Sequence, residues 1–128
     1  MSLSVNCYPS KPLHALLGAT YGKGTLVWCK IVLTTSGAVG SYDGSAGTVG
    51  AKPTGTGVYT ATFPPSSVLI PLAPVYEQAS GAATVEATLK SVVASTGVVT
   101  VVLGDDGTPA DGTSGDVIWV ACIALSSS

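Results

Sequence analysis

Groups able to do chemistry are few and scattered in this chain of 128 residues. His14 is the single histidine, so a Ser-His-Asp or Cys-His arrangement would have to use it as the base. It stands between Leu13 and Ala15, in a segment without a strong period, and reads as a surface or packed histidine. Asp105, Asp106, Asp111 and Asp116 share one segment with glycines at 104, 107, 112 and 115. Carboxylates on a loop can ligate calcium, but the spacing does not fit D-x-[DN]-x-[DN]-G followed by a distant glutamate. Asp and Gly also form turns for backbone reasons alone. Turn formation is therefore the leading reading of the four aspartates and a divalent cation the alternative. Glu77 and Glu86 are isolated, and no carboxylate pair for glycoside hydrolysis can be named.

The three cysteines, Cys7, Cys29 and Cys122, are odd in number and widely spaced, with no CxxC pair for zinc or redox work. Cys29 and Cys122 lie inside apolar runs, where a thiol behaves as a small buried hydrophobe. The glycine-rich stretch from Gly37 to Gly57 holds neither GxxxxGK[ST] nor a GxGxxG between a strand and a helix. Aromatic rings could form a sugar platform, but Trp28, Trp119 and Tyr59 stand in apolar strands and are expected in the core. That leaves Tyr42 and Tyr76 as the exposed candidates. The expectation is a protein that is not an enzyme, with no catalytic, metal-binding or cofactor-binding residues.

The elements that would position these groups are strands. Glycine (16) and proline (8) recur too often for long helices, and Val and Thr dominate the apolar segments. Period-two alternation marks a strand near Gly24 to Thr35, expected to be central and covered on both faces. Short edge strands at most are expected in the Gly/Ser/Thr-rich stretch that follows. Val58 to Phe63 places Tyr59, Ala61 and Phe63 inward, and Pro64 and Pro65 stop it. A short edge or kinked strand is expected within Val68 to Tyr76. Ala83 to Val93 and Val98 to Leu103 form a hairpin about Ser95 to Gly97. Asp116 to Leu125 closes the chain of elements. The reading is all-β: an antiparallel β-sandwich or barrel-like domain of six to eight short strands over residues 23–128, preceded by an N-terminal arm over residues 1–22.

Composition limits the partners. Only 9% of residues are charged against 46% hydrophobic, where an average soluble domain carries roughly 25% charged residues. Disordered chains show the reverse balance, so the shortage points to a surface covered by other protein. The net charge is −2, arginine is absent, and the five lysines (Lys11, Lys23, Lys30, Lys52 and Lys90) are scattered singly. Nucleic acid is not expected as a partner, since no basic stripe could release its counterions. The N-terminus lacks the pattern of a signal peptide. The apolar run Val117 to Leu125 is too short to span a bilayer as a helix. A soluble protein made in a reducing cytoplasm is expected.

Two segments together resemble a family. TGTGVYTATF, Thr54 to Phe63, resembles the R-x-G-x-G-x-Y-x-V-x-F run of many small bacteriophage structural proteins. DDGTPADGTSGDVIWVACIAL, Asp105 to Leu125, resembles their D-P-x-S-G-D-x-V-x-V closing loop and strand. Lys52 and Pro53 stand where an arginine often precedes the first motif. The resemblance covers roughly residues 50 to 125 and implies a capsid-binding β-domain with no catalytic residues to carry over. The expected function is a capsid decoration (cement) protein on the virion surface. It would be a homo-oligomer, expected as a trimer, bound to the major capsid protein. A tail- or fibre-associated phage domain and a carbohydrate-binding module are the alternatives.

Overall fold

Alternating β-branched and polar residues pair into two antiparallel sheets packed face to face, so the domain is a β-sandwich. The computed structural model describes residues 24–79, 85–105 and 107–126. The arm over residues 1–22, with His14 and Cys7, and Asp106 of the aspartate segment lie outside the described residues.

The first sheet is built on β1 (Thr25–Leu33) and β10 (Val117–Leu125), which pair along their length from Thr25↔Ala124 to Val32↔Val117. β2 (Val39–Gly44) lies on the free side of β1. The other side of β10 is shared by β5 (Val68–Pro71) and β6 (Val75–Glu77) in succession. Pro71 and Pro74 cut what would be one edge strand into these two, because neither can donate to the ladder.

In the second sheet the order is β3 (Val49–Ala51), β4 (Val58–Thr62), β8 (Val98–Asp105) and β7 (Val85–Val93). The two-residue β9 (Thr108–Pro109) folds back on the end of β8. The described strands number ten. The excess over the six to eight expected comes from short pieces in the Gly- and Pro-rich segments. A bulge between Leu89 and Ser91 shifts the β7 alternation, so that Lys90 stands out and Val92 returns to the core side.

Between the sheets lies one core. Cys29 and Ile31 of β1, Tyr59 and Ala61 of β4, Val99, Val101 and Leu103 of β8, and Ile118 and Cys122 of β10 are fully buried. Phe63 joins them just after β4, as the alternation in Val58 to Phe63 requires. Burying a side chain of this size contributes roughly 1.5–3 kcal/mol. Cys29 and Cys122 are both free and buried, and register explains why they do not face each other. Cys29 is opposite Val120, and Cys122 is opposite Val27.

β1 is central in its sheet, as expected, but within one chain only one of its faces is covered. Val27, Cys29, Ile31 and Leu33 enter the core, but Leu26 is 54% exposed on the outer face, with Trp28, Lys30 and Val32 half-buried beside it. β10 repeats this pattern, so Trp28 and Trp119 stand on the outer face and not in the core. Alternation separates two faces of a strand, but where both are apolar it does not say which faces inward.

Candidate functional site

Most of the polar side chains with candidate roles collect at one end of the sandwich, where β1 ends and β4 and β10 begin. The local reason is the segment from Ala110 to Asp116, which leaves the second sheet after β9 and enters the first at β10. Asp111 turns back to accept the Gly57 N–H at 2.6 Å and forms an ion pair with Lys52 at 3.1 Å. The Gly57 donor and the lysine hold the Asp111 carboxyl below its usual range against some burial. Gly57 has φ +74°, and a Cβ there would meet the Leu103 carbonyl oxygen at 2.5 Å. Only glycine brings this N–H so close to the aspartate.

Tyr59 of β4 carries the connection across the core. Its buried hydroxyl donates to the Gly37 carbonyl at 2.6 Å and accepts the Gly112 N–H at 3.3 Å. Gly37 belongs to the turn Thr35–Gly37 that follows β1, so one phenol joins both sheets to the closing loop. Burial raises the pKa of this phenol, and the Lys52 ammonium lies 5.3 Å from the ring centroid.

Among the described residues Asp116 is the buried charge, 1% exposed. It accepts hydrogen bonds from the Tyr76 hydroxyl, from the Ala79 N–H at 2.9 Å, and from the Thr113 N–H and hydroxyl at 2.9 and 3.1 Å. Burial alone would raise its carboxyl, but these donors outweigh that and hold it below the usual range. Burial pushes the Tyr76 phenol strongly up, and its hydrogen bond to Asp116 and the negative charge there add to the effect. The carboxylate is supplied with donors from two segments, Tyr76 with Ala79 and Thr113 of its own loop, which is how a buried charge becomes tolerable.

These contacts locate the sequence candidates. Asp111 and Asp116 act as turn-holding acceptors with different partners, and Asp105 ends β8. Among the described residues no group of three or more His, Cys, Asp or Glu side chains converges to hold a metal ion. Tyr42 and Tyr76 share no platform. They stand at opposite edges of the first sheet in one row, Tyr42–Ile31–Ile118–Tyr76, about 14 Å apart at ordinary strand spacing. On the outside of the second sheet, Glu86, Thr88, Lys90, Val102 and Pro109 line a shallow groove of about 280 Å³. That is smaller than the roughly 300–1,000 Å³ typical of small-molecule sites.

The feature that sequence reasoning missed is the outer face of the first sheet. Of the seven large apolar residues exposed among the described residues, Leu26, Ile70, Leu72 and Val75 all belong to it. Its centre holds Trp28 and Trp119, with ring centroids 6.2 Å apart and planes tilted by 32°. The Lys30 ammonium lies 5.3 Å from the Trp119 ring centroid, and Glu77 accepts the Trp119 indole N–H. Apolar residues at alternate positions on both sides of β1 were the signal that could have found it. Among the described residues no helix is long and apolar enough to cross a membrane. Compared with known proteins, the chain matches no family model, no curated protein and no solved structure.

Proposed function

We propose that this chain is a virion structural protein, a decoration (cement) protein that binds the outside of a bacteriophage head and stabilises it. It is made in the host cytoplasm, assembles with copies of itself as a homo-oligomer, expected as a trimer, and docks on the major capsid protein. One observation carries this reading. Asp111, Thr113 and Asp116 of the closing loop are spent inside the domain, holding it together, while a whole sheet face rich in apolar side chains is left on the outside. Such a surface is suited to burial against protein.

The family resemblance gains a physical rationale from the same contacts. Its two motifs meet where Asp111 accepts the Gly57 N–H and where Gly112 donates to Tyr59. The shared glycines, tyrosine and aspartates are then what closes the sandwich, as expected of a scaffold. Stabilisation of a shell would follow from multivalency, because a symmetric oligomer engages several weak sites at once.

A second reading, a carbohydrate-binding module, is favoured by one observation: the exposed-side tryptophan pair, Trp28 and Trp119. Aromatic faces can stack on sugars, but the polar neighbours Lys30 and Glu77 are already engaged by Trp119, and much of the remaining face is aliphatic. Immunogold electron microscopy of the particles with which the protein purifies tests the proposal. Label across the shell supports decoration, label confined to the tail transfers the chain to a tail or fibre role, and absence from particles overturns both. Glycan-array binding abolished by Trp119→Ala would instead establish the carbohydrate reading.

A further inference from the structure

We infer that the outer face of the first sheet is the surface by which copies of this chain bind one another, with Trp28 and Trp119 at its centre. This rests on the self-assembling reading above and names the surface responsible. Strand register lays the face out in rows. Leu26, Ile123 and Ile70 form one row, and Asp43, Lys30, Trp119 and Val75 form another. Four rows, two of three strands and two of four, outline a patch of about 450 Å² in plan, Asp43, Lys30 and Glu77 included. That plan area is of the same order as, and below, the ~800 Å² per partner of a standard interface.

Two observations favour a second copy over a capsid subunit as occupant. The first is charge. Lys30 stands between Asp43 in its own row and Glu77 one strand beyond Trp119, so the patch carries both signs. In a closed ring each copy meets the next through two different parts of its surface, and Lys30 of one copy can face Asp43 or Glu77 of the next. The second is the contrast with the opposite face. The outside of the second sheet is mixed, with Thr60 paired to Thr100 and Thr62 and Thr88 nearby, interleaved with the smaller apolar Val49, Val58, Val93, Val98 and Val102 and with no large aromatic ring. Permanent homo-oligomer interfaces are the more apolar kind, and separable contacts are as polar as ordinary surface. The face with the tryptophans and larger aliphatic side chains therefore suits the copy, and the mixed threonine and valine face suits a partner met later.

The test is sedimentation velocity on the full chain across a range of concentrations, comparing wild type with Leu26→Glu and Val75→Glu. Both positions are more than half exposed, so circular dichroism should show folding unchanged. Val93→Glu, on the outside of the second sheet, is the control. The expected result is one defined oligomer for wild type and the control, with self-association weakened about tenfold or more in both face variants. An oligomer that survives both substitutions overturns the assignment of the face while leaving self-assembly intact. A monomeric wild type overturns the self-assembly reading itself. In that case, shielded tryptophans would assign the face to another segment of the same chain, and loss of capsid binding in the face variants would assign it to the shell.

Discussion

Asp111 accepts the backbone N–H of Gly57 at 2.6 Å, across 54 positions of sequence, and so ties the start of β4 to the loop that leads into β10. Lys52 reinforces the tie from a partly exposed position. Asp111→Ala removes a charged acceptor from a backbone donor, and a loss of about 1–2 kcal/mol in urea unfolding is expected. Lys52→Met should cost well under that, because a solvent-screened ion pair contributes little. Equal losses in the two variants would show that the ion pair, and not the Gly57 bond, does the holding.

The Asp116 carboxylate makes the domain sensitive to acid. Its folded pKa lies below that of the unfolded chain, which is about 3.9 for an aspartate. Its contribution is therefore complete above the unfolded value and is lost as pH falls through the folded value. Urea midpoints should fall on acidification below about pH 4. Asp116→Asn should be less stable at neutral pH by about 1–3 kcal/mol and show a shallower fall in acid. Parallel pH profiles for the two proteins would refute this assignment.

Backbone approach makes some glycines far more costly to replace than others. At Gly97, φ is +76° and a Cβ would lie 1.7 Å from the Phe63 carbonyl oxygen, whereas at Gly107, φ is +85° with no heavy atom within 4 Å. Gly97→Ala adds a backbone clash to the conformational penalty and should cost more than about 3 kcal/mol. Gly107→Ala should cost only about 1 kcal/mol. Thermal unfolding of the two variants side by side checks the ranking.

Burial pushes the Cys29 thiol up to about 11, with the Asp43 charge adding to it, and burial also raises the Cys122 thiol. Neither offers a thiolate near neutral pH. Alkylation followed by peptide mapping should leave both unlabelled in the native protein and label both in denaturant. Rapid native labelling of either would mean that the core between the two sheets opens far more readily than its packing implies.

How far the sequence could be read depended on the range of the interactions involved. Tyr59, Ala61 and Phe63 were legible as core because polar threonines alternate with them and fix the direction. Trp28 and Trp119 were not, because apolar residues occupy both sides of β1 and the choice of inner face is settled by which side meets β4 and β8. The turn role of Asp111 and Asp116 was legible from their glycine neighbours. Their partners were not, since Gly57 and Tyr76 come from distant segments that only the closed sandwich brings near. The proline-cut edge of Val68 to Tyr76 was recognised, but its division into β5 and β6 depends on β10 offering one continuous side to both.

The chain holds only two tryptophans, both on the outer face of the first sheet, so their fluorescence reports directly on whether other protein covers that face. Iodide quenching across a dilution series is the decisive measurement. Shielded, blue-shifted emission at high concentration that becomes open and red-shifted on dilution, and is open throughout in Leu26→Glu, is the predicted result. Tryptophans equally open to iodide at every concentration in the wild type would contradict the account.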